Sequence, residues 1–446
     1  MGLQFFPRGG SAHVAQNLAS ALPDCGWDVR VLSGSVRIPG RPGDAEAFYR
    51  GLDVRTVDMT AALSAPDPMW ADPPLHPSYE DRPGAADRCF ASLDDATVEH
   101  HAACWERALL AAGAPTMDVL HLHHLTPINE AAARVAPDVP VVGHLHGTEL
   151  LMLEAIGRDH PWAERMRRWA ARCERFIVLS DSQVERAEGL LDIDPERCVR
   201  VSNGFDPAVF RKSPRVDHVS FWRRHLVDAP QGWAPDGEPG SVGYAESDLA
   251  AFAGDDPVLL YVGRFTSVKR IGLLIEAYAR ARRSFARPAP LVLLGGFPGE
   301  WEGEHPLETV RRTGAEQVFL AGWHGHDELP GFFAASDVVV LPSVREQFGQ
   351  VLVEGMACGL PAIAVAAHGP AEIVDDGRTG WLVEPDDVDG MARALVEAVN
   401  RPGERLRRGR EAREDVAGRF AWPALAEQVA AVLEEVAQIG SVSRAL

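Results

Sequence analysis

Short apolar runs alternate along the chain with stretches whose apolar residues recur every three or four positions. "LQFF" at 3–6 leads into "SAHVAQNLASAL", where Val14, Ala15, Leu18 and Leu22 mark one face of a helix. Gly26 stops that helix, and "DVRVL" then reads as a strand. Further strands are expected at "DVLHL", "VPVVGHL", "RFIVL" and "CVRVS". The second half repeats the rhythm with "PVLLYVG", "PLVLLGG", "VFLAG", "DVVVLP", "PAIAV" and "GWLVE". Mostly apolar runs of this kind suit strands covered on both faces, so the expected class is α/β with parallel sheets between layers of helix.

Two stretches break the rhythm. Residues 62–95 are rich in Pro and Asp and carry Trp70, His76 and Tyr79, and 228–248 is equally aperiodic. Insertions of this length read as functional loops or disorder. A linker-like "RKSPR" places a boundary near 206–215, giving domains 1–206 and 207–421. Lys212 falls in that linker and is expected in solvent.

With 446 residues, two or three domains are expected. No apolar run approaches the ~20 residues needed to span a bilayer. The start has no charged region, apolar core and cleavage site in series. Six cysteines form no CxxC pair, which fits a reducing cytoplasm. A formal charge of −20 repels polyanions, so nucleic acid is not an expected partner, and an anionic small substrate would need a local cationic pocket. Of the 44 cationic residues only Lys212 and Lys269 are lysine.

Candidate chemistry gathers at strand ends. In "REQFGQVLVEG" Glu346 and Glu354 stand eight positions apart. A helix is expected from about Phe348 to Cys358, which leaves Glu346 on the loop above a parallel strand and Glu354 mid-helix among apolar neighbours. Two solvated glutamates are the alternative, although Glu354 in such company wants a partner. In "YVGRFTSVKRIGLLIEAY" Arg264 leaves a strand and Lys269 is expected in the first helical turn, where cations oppose the helix dipole unless an anion lies between them. A planar fork and a point charge together suit a diphosphate, and two solvated cations are the alternative. Gly9 and Gly10 in "PRGGSAHVAQNL" offer bare backbone to an anion. His144 and His146 in "VVGHLHGTELL" share a strand face, either in a site or as satisfied buried imidazoles. "DID" at 192–194 reads as a turn with caps, and His121, His123 and His124 lack ligand spacing with nearby cysteines or carboxylates. The helix "WAERMRRWAARCERF" sets Trp162, Met166, Trp169 and Cys173 on one face, for core packing or a membrane surface.

Together these segments resemble the retaining glycosyltransferases of family four, built on the GT-B fold of two Rossmann-like domains whose parallel sheets face across a cleft. The E-x7-E pattern is the most specific element; "GRFTSVK", "VSNGFDPAVF" and "HGPAEIVDDGRTGWLVEPDD" support it. The resemblance implies a nucleotide-sugar donor held by both glutamates, Glu354 on the ribose and Glu346 on a sugar hydroxyl. It also implies that the amides of Phe348, Gly349 and Gln350 hold sugar and phosphate, and that Arg264 and Lys269 grip the diphosphate. Gly9 and Gly10 would close over the donor, and His146 would face the sugar. No metal and no other cofactor is implied, and UDP is the first choice of nucleotide, with GDP or ADP as options. The helix 422–438 would cross back onto the first domain through Val429, Val432, Leu433 and Val436. A small polar acceptor would be chosen by His13, Glu149, Trp70 and Tyr79. A membrane-associated enzyme with a lipid or polysaccharide acceptor, and a catalytically silent nucleotide-sugar binder, are the alternatives. A pyridoxal-phosphate phosphorylase finds no candidate lysine.

Overall fold

The computed structural model describes residues 1–446 apart from 8, 39–42, 81–85, 215, 255, 300 and 446, and no side chain beyond 440. Arg8 of the glycine turn, Arg215 of the linker and 81–85 of the first insertion therefore lie outside the described residues. The chain divides into two compact units, Met1–Asn203 with Trp422–Leu446, and Gly204–Ala421.

In the first unit, β1 (Gly2–Leu3), β2 (Arg30–Ser35), β3 (Asp53–Asp58), β4 (Leu120–His123), β5 (Val141–His144), β6 (Cys173–Val178) and β7 (Cys198–Arg200) form a parallel sheet in the order β3-β2-β1-β4-β5-β6-β7. In the second, β8 (Leu259–Val262), β9 (Leu291–Leu294), β10 (Val318–Gly322), β11 (Val338–Leu341), β12 (Ala362–Val365) and β13 (Gly380–Val383) follow β10-β9-β8-β11-β12-β13, again parallel. Both sheets grow outward from a first strand and then reverse. The reversal leaves a switch point, between β1 and β4 in one sheet and between β8 and β11 in the other. Loops leave open α/β sheets for ligands there, at the carboxyl ends of the strands.

Burial explains why the central strands were legible. Leu259, Leu260, Val338 to Leu341 and Ala362 to Ala364 are essentially inaccessible, so their sequence is apolar on both faces. Two edges differ from expectation. The strand expected at 3–6 ends at Leu3, because Phe5 and Phe6 turn away to pack on His76, with ring centroids 4.9 and 4.7 Å away. The edge strand β3 was not expected, since most of its residues are exposed or half-buried and only Val57 is buried.

The described residues of both insertions include packed structure. Met69, Leu75, Tyr79 and Phe90 join the first unit's core, and Tyr79 donates its hydroxyl to the Leu125 carbonyl at 2.9 Å. In the second insertion Trp233 is 1% exposed and stacks on Phe265 at 5.7 Å. The final helix, Trp422–Ala445, buries Leu425, Val429, Val432, Leu433 and Val436 with Val14, Leu18, Val142 and Ile177 of the first unit.

Candidate active site

In the second unit β8 and β11 are neighbours, and the loops leaving them are tied together. Val344 N–H donates to the Val268 carbonyl at 3.0 Å, and Ser343 Oγ donates to the same oxygen at 3.3 Å. That seam brings Lys269 against Glu346: Nζ bonds Oε2 directly, with the side chains 17% and 20% exposed. Lys269 is not in the helix as expected. It ends a short 3-10 turn, Ser267–Lys269, and Arg270 at φ +52° then starts the helix Ile271–Ala281. Arg270 is held by Asp386 at 2.6 Å, which fixes the turn that aims Lys269. Arg264 is exposed; its carbonyl accepts from the Tyr261 hydroxyl at 2.8 Å, and no salt bridge holds its guanidinium among the described residues.

The helix after β11 runs Gln350–Ala357, capped by Gly349 at φ +106°, and has no acidic residue in its first turn. Its open amides therefore present a positive pole at the same sheet edge. Phe348 is buried against Phe420, with centroids 5.6 Å apart, and the Gly369 amide donates to the Glu346 carbonyl at 3.1 Å. Glu354 is 2% exposed yet well partnered. Gln350 Nε2 donates to its Oε1 at 2.9 Å, and His326 Nε2 meets the same oxygen at 2.8 Å. Burial alone would depress the His326 pKa, but the bond to Glu354 and that carboxylate's charge raise it above the ordinary value. Both partners take Oε1. Sequence reasoning missed His326. Its position just beyond the carboxyl end of β10 was the available signal, but nothing in the spacing joined it to Glu354.

In the first unit Gly9 and Gly10 are exposed at the start of the helix Gly10–Ala21, with no atom within 4 Å of where a Cβ would stand. His13 is half-buried with its ring 5.0 Å from Phe48. Beyond β4 and β5 the histidines form an array that was read one residue at a time. His123 Nδ1 meets His146 Nε2 at 2.9 Å, His121 Nε2 meets His144 Nδ1 at 3.2 Å, and the His144 and His146 rings stack at 4.5 Å. Burial pushes His121, His123 and His146 well below the usual imidazole pKa and His144 down to about 3, so all four are neutral near pH ~7. Glu149 is fully buried, accepts from the His146 amide at 3.1 Å and pairs with His124 at 3.3 Å. Desolvation works to raise its pKa, but His124 and these bonds hold it low.

Tyr79 and Trp70 part company. Tyr79 is 8% exposed with its hydroxyl engaged, so it cannot offer that tip to an acceptor, a correction to its expected role. Trp70 is 49% exposed and stacks on His100 at 5.0 Å. The "DID" residues are caps: Asp192 closes the helix Asp181–Leu191 at φ +56°, and Asp194 accepts from the Glu196 amide. The helix Pro161–Ala171 buries Trp162, Met166 and Trp169, while Arg165 and Arg168 pair with Asp95 and Glu164. Its apolar face is core. Among the described residues no helix is long and apolar enough to cross a membrane.

Residues 8–209 match the description Glycosyltransferase Family 4, and 247–415 match Glycosyl transferases group 1. The D-inositol 3-phosphate glycosyltransferase of Stackebrandtia nassauensis is 30% identical over 344 residues, covering 73% of this chain and 70% of that protein. The N-acetyl-alpha-D-glucosaminyl L-malate synthase of Bacillus anthracis is 24% identical over 325 residues, covering 72% and 75%. Anabaena HepE, solved with UDP and glucose, aligns with a TM-score of 0.66 at 20% identity over 97% of this chain and 98% of that one. The chain belongs to the family-four, group 1 glycosyltransferases, and it has their GT-B fold.

Proposed function

We propose that this glycosyltransferase moves a sugar from a nucleoside diphosphate sugar to a small polar acceptor, with retention of anomeric configuration and without a metal. One observation carries the donor half: Arg264, Lys269, Glu346 and the Gly349–Gln350 amides sit on two bonded loops at one switch point, with Glu354 in the helix behind. A diphosphate laid there meets two cations and a helix amino end, and the ribose meets Glu354. Phe297 and Trp323, 43% and 51% exposed beyond β9 and β10, offer flat faces for a base.

The acceptor hydroxyl attacks the anomeric carbon as the bond to the diphosphate breaks. The leaving group keeps the bonding electrons, and its phosphate oxygen takes the acceptor proton. Lys269 and Arg264 oppose the charge that grows there, a preorganised electrostatic contribution. Glu346 is freed from Lys269 to bind a sugar hydroxyl, and His146, its ring held by His123, is assigned to the sugar by family resemblance alone.

The acceptor half rests on the first unit and on the relatives. The names of the two relatives carry D-inositol 3-phosphate and L-malate, both small and polar. Trp70 and His13 are the residues assigned to acceptor choice; Glu149, expected there too, is buried on His124 and serves instead to hold the His146 amide. UDP is the first donor base to try, by family resemblance. The test is a matrix of UDP-, GDP- and ADP-sugars against cyclitols and hydroxy acids, run with and without EDTA and read by proton NMR. Transfer that survives EDTA and gives a product with the donor's anomeric coupling supports the proposal. An inverted anomer, or loss of turnover restored by Mg(II) or Mn(II) but not by Zn(II), overturns that part of it.

A further inference from the structure

We propose that His121, His123 and His144 form a site for one divalent first-row transition ion, with zinc as the favoured occupant. The three side chains are 3%, 0% and 2% exposed, and one ligand nitrogen from each lies within 4.8 Å of the others. Each also carries a buried ring nitrogen with no hydrogen-bond partner: His121 Nδ1, His123 Nε2 and His144 Nε2. A buried polar atom left unpaired is costly, and in a neutral imidazole an unpaired nitrogen without a proton is a free lone pair for a ligand.

The geometry is close to what an ion needs. His121 Nε2 and His144 Nδ1 are 3.2 Å apart with ring planes 8° from parallel. Two nitrogens on a tetrahedral zinc stand roughly 3.3 Å apart, given bonds of ~2.0–2.1 Å. On binding, the contact between these two rings opens and each gives the ion the lone pair of its unprotonated nitrogen; the ring whose facing nitrogen now carries the shared proton binds through its other, presently unpartnered, nitrogen. His123 binds through Nε2 and keeps its proton on Nδ1, donated to His146. No proton leaves. A ligating imidazole whose second nitrogen is tied to a neighbour has the outer support that metal-bound histidines use. Three imidazoles with no carboxylate oxygen favour zinc, nickel or copper over magnesium or calcium. The buried Glu149 carboxylate, whose charge reaches His144, partly offsets the ion's charge.

Such an ion clamps the carboxyl ends of β4 and β5 and fixes the donor that orients His146. It takes no part in diphosphate departure, and the site rests on geometry independent of the donor assignment. The test uses untagged full-length protein stripped with a chelator, then titrated with Co(II) alone. One equivalent should give the intense visible bands of four- or five-coordinate Co(II), displaced by Zn(II). His121→Gln and His144→Gln should each weaken binding at least a hundredfold, while His100→Gln, outside the cluster, should not. If those variants fail to fold, the stripped wild type still decides: its melting temperature should rise with free Zn(II) by mass action. A pale six-coordinate spectrum, unchanged binding in both variants, or a melting temperature indifferent to zinc would each overturn the proposal.

Discussion

Lys269 and Glu346 hold one another at a position where each has other work to do in the proposed reaction. The pair keeps a partly buried cation and carboxylate neutral as a unit, and an arriving diphosphate competes with Glu346 for the ammonium. Removing either partner should therefore have opposite effects on nucleotide binding. Lys269→Ala deletes a charge-assisted contact worth about 1.5–3 kcal/mol, so UDP affinity should fall some ten- to a hundredfold while uridine binding changes little. Glu346→Ala leaves Lys269 free for phosphate, so UDP affinity should hold or rise while turnover drops. Calorimetry with UDP and uridine separates the two, and wild-type UDP affinity in Lys269→Ala would remove Lys269 from the phosphate site. His326 carries a pH signature. Its folded pKa is raised, so its stabilising bond to Glu354 is complete below about pH 6.5 and drains away as pH rises through the folded value. Urea titrations should show the advantage of wild type over His326→Gln shrinking as the buffer is made more alkaline. A constant difference would mean that the pair is not charge-coupled. Glu346 and Lys269 could be read from the sequence because each lies just past an apolar strand. His326 could not, because its partner Glu354 comes from the helix that follows a different strand. The histidine array was hidden for the same reason: its spacing is between strands, His123 beside His144 in register, and not along one.

Elements followed the chain's pattern where burial is two-sided and departed from it where packing is local. The strands β8 to β13 were all legible as apolar runs, whereas β3 is an edge with one buried residue, and Phe5–Phe6 serve the insertion instead of the sheet. The first insertion looked like a surface loop because buried positions spaced as irregularly as Met69, Leu75 and Tyr79 have no period to detect. Deleting 66–80 should unfold the first unit, because Met69, Leu75 and Tyr79 belong to its core. Trp70→Ala is the cleaner probe, and it should raise the acceptor KM with UDP affinity unchanged. The loop of Glu346 depends on Gly369, where a Cβ would stand 2.2 Å from the Phe348 carbonyl oxygen. Gly369→Ala must displace the 346–349 backbone and its bond from the Gly369 amide. Transfer should fall at least tenfold with the far-ultraviolet spectrum preserved. Normal turnover in this variant would show that the loop's position is not set by that contact.

The chain's two units each have their own sheet and core, and the first is completed by the last segment of the sequence. Leu433 is 3% exposed in a cluster with Val14, Leu18, Val142 and Ile177, so the helix Trp422–Ala445 supplies a wall of the first unit's core. Leu433→Ala should cost about 2–5 kcal/mol, from lost apolar burial plus the cavity left behind. Because none of those partners belongs to Gly204–Ala421, the loss should fall on one unit. Saturating UDP supplies the marker for the other, since a ligand raises the melting temperature only of the unit that binds it. In scanning calorimetry the transition that UDP does not move should shift to lower temperature in Leu433→Ala. The UDP-responsive transition should keep both its midpoint and its response. If the two transitions instead move down together, the units unfold as one cooperative body and the helix stabilises both.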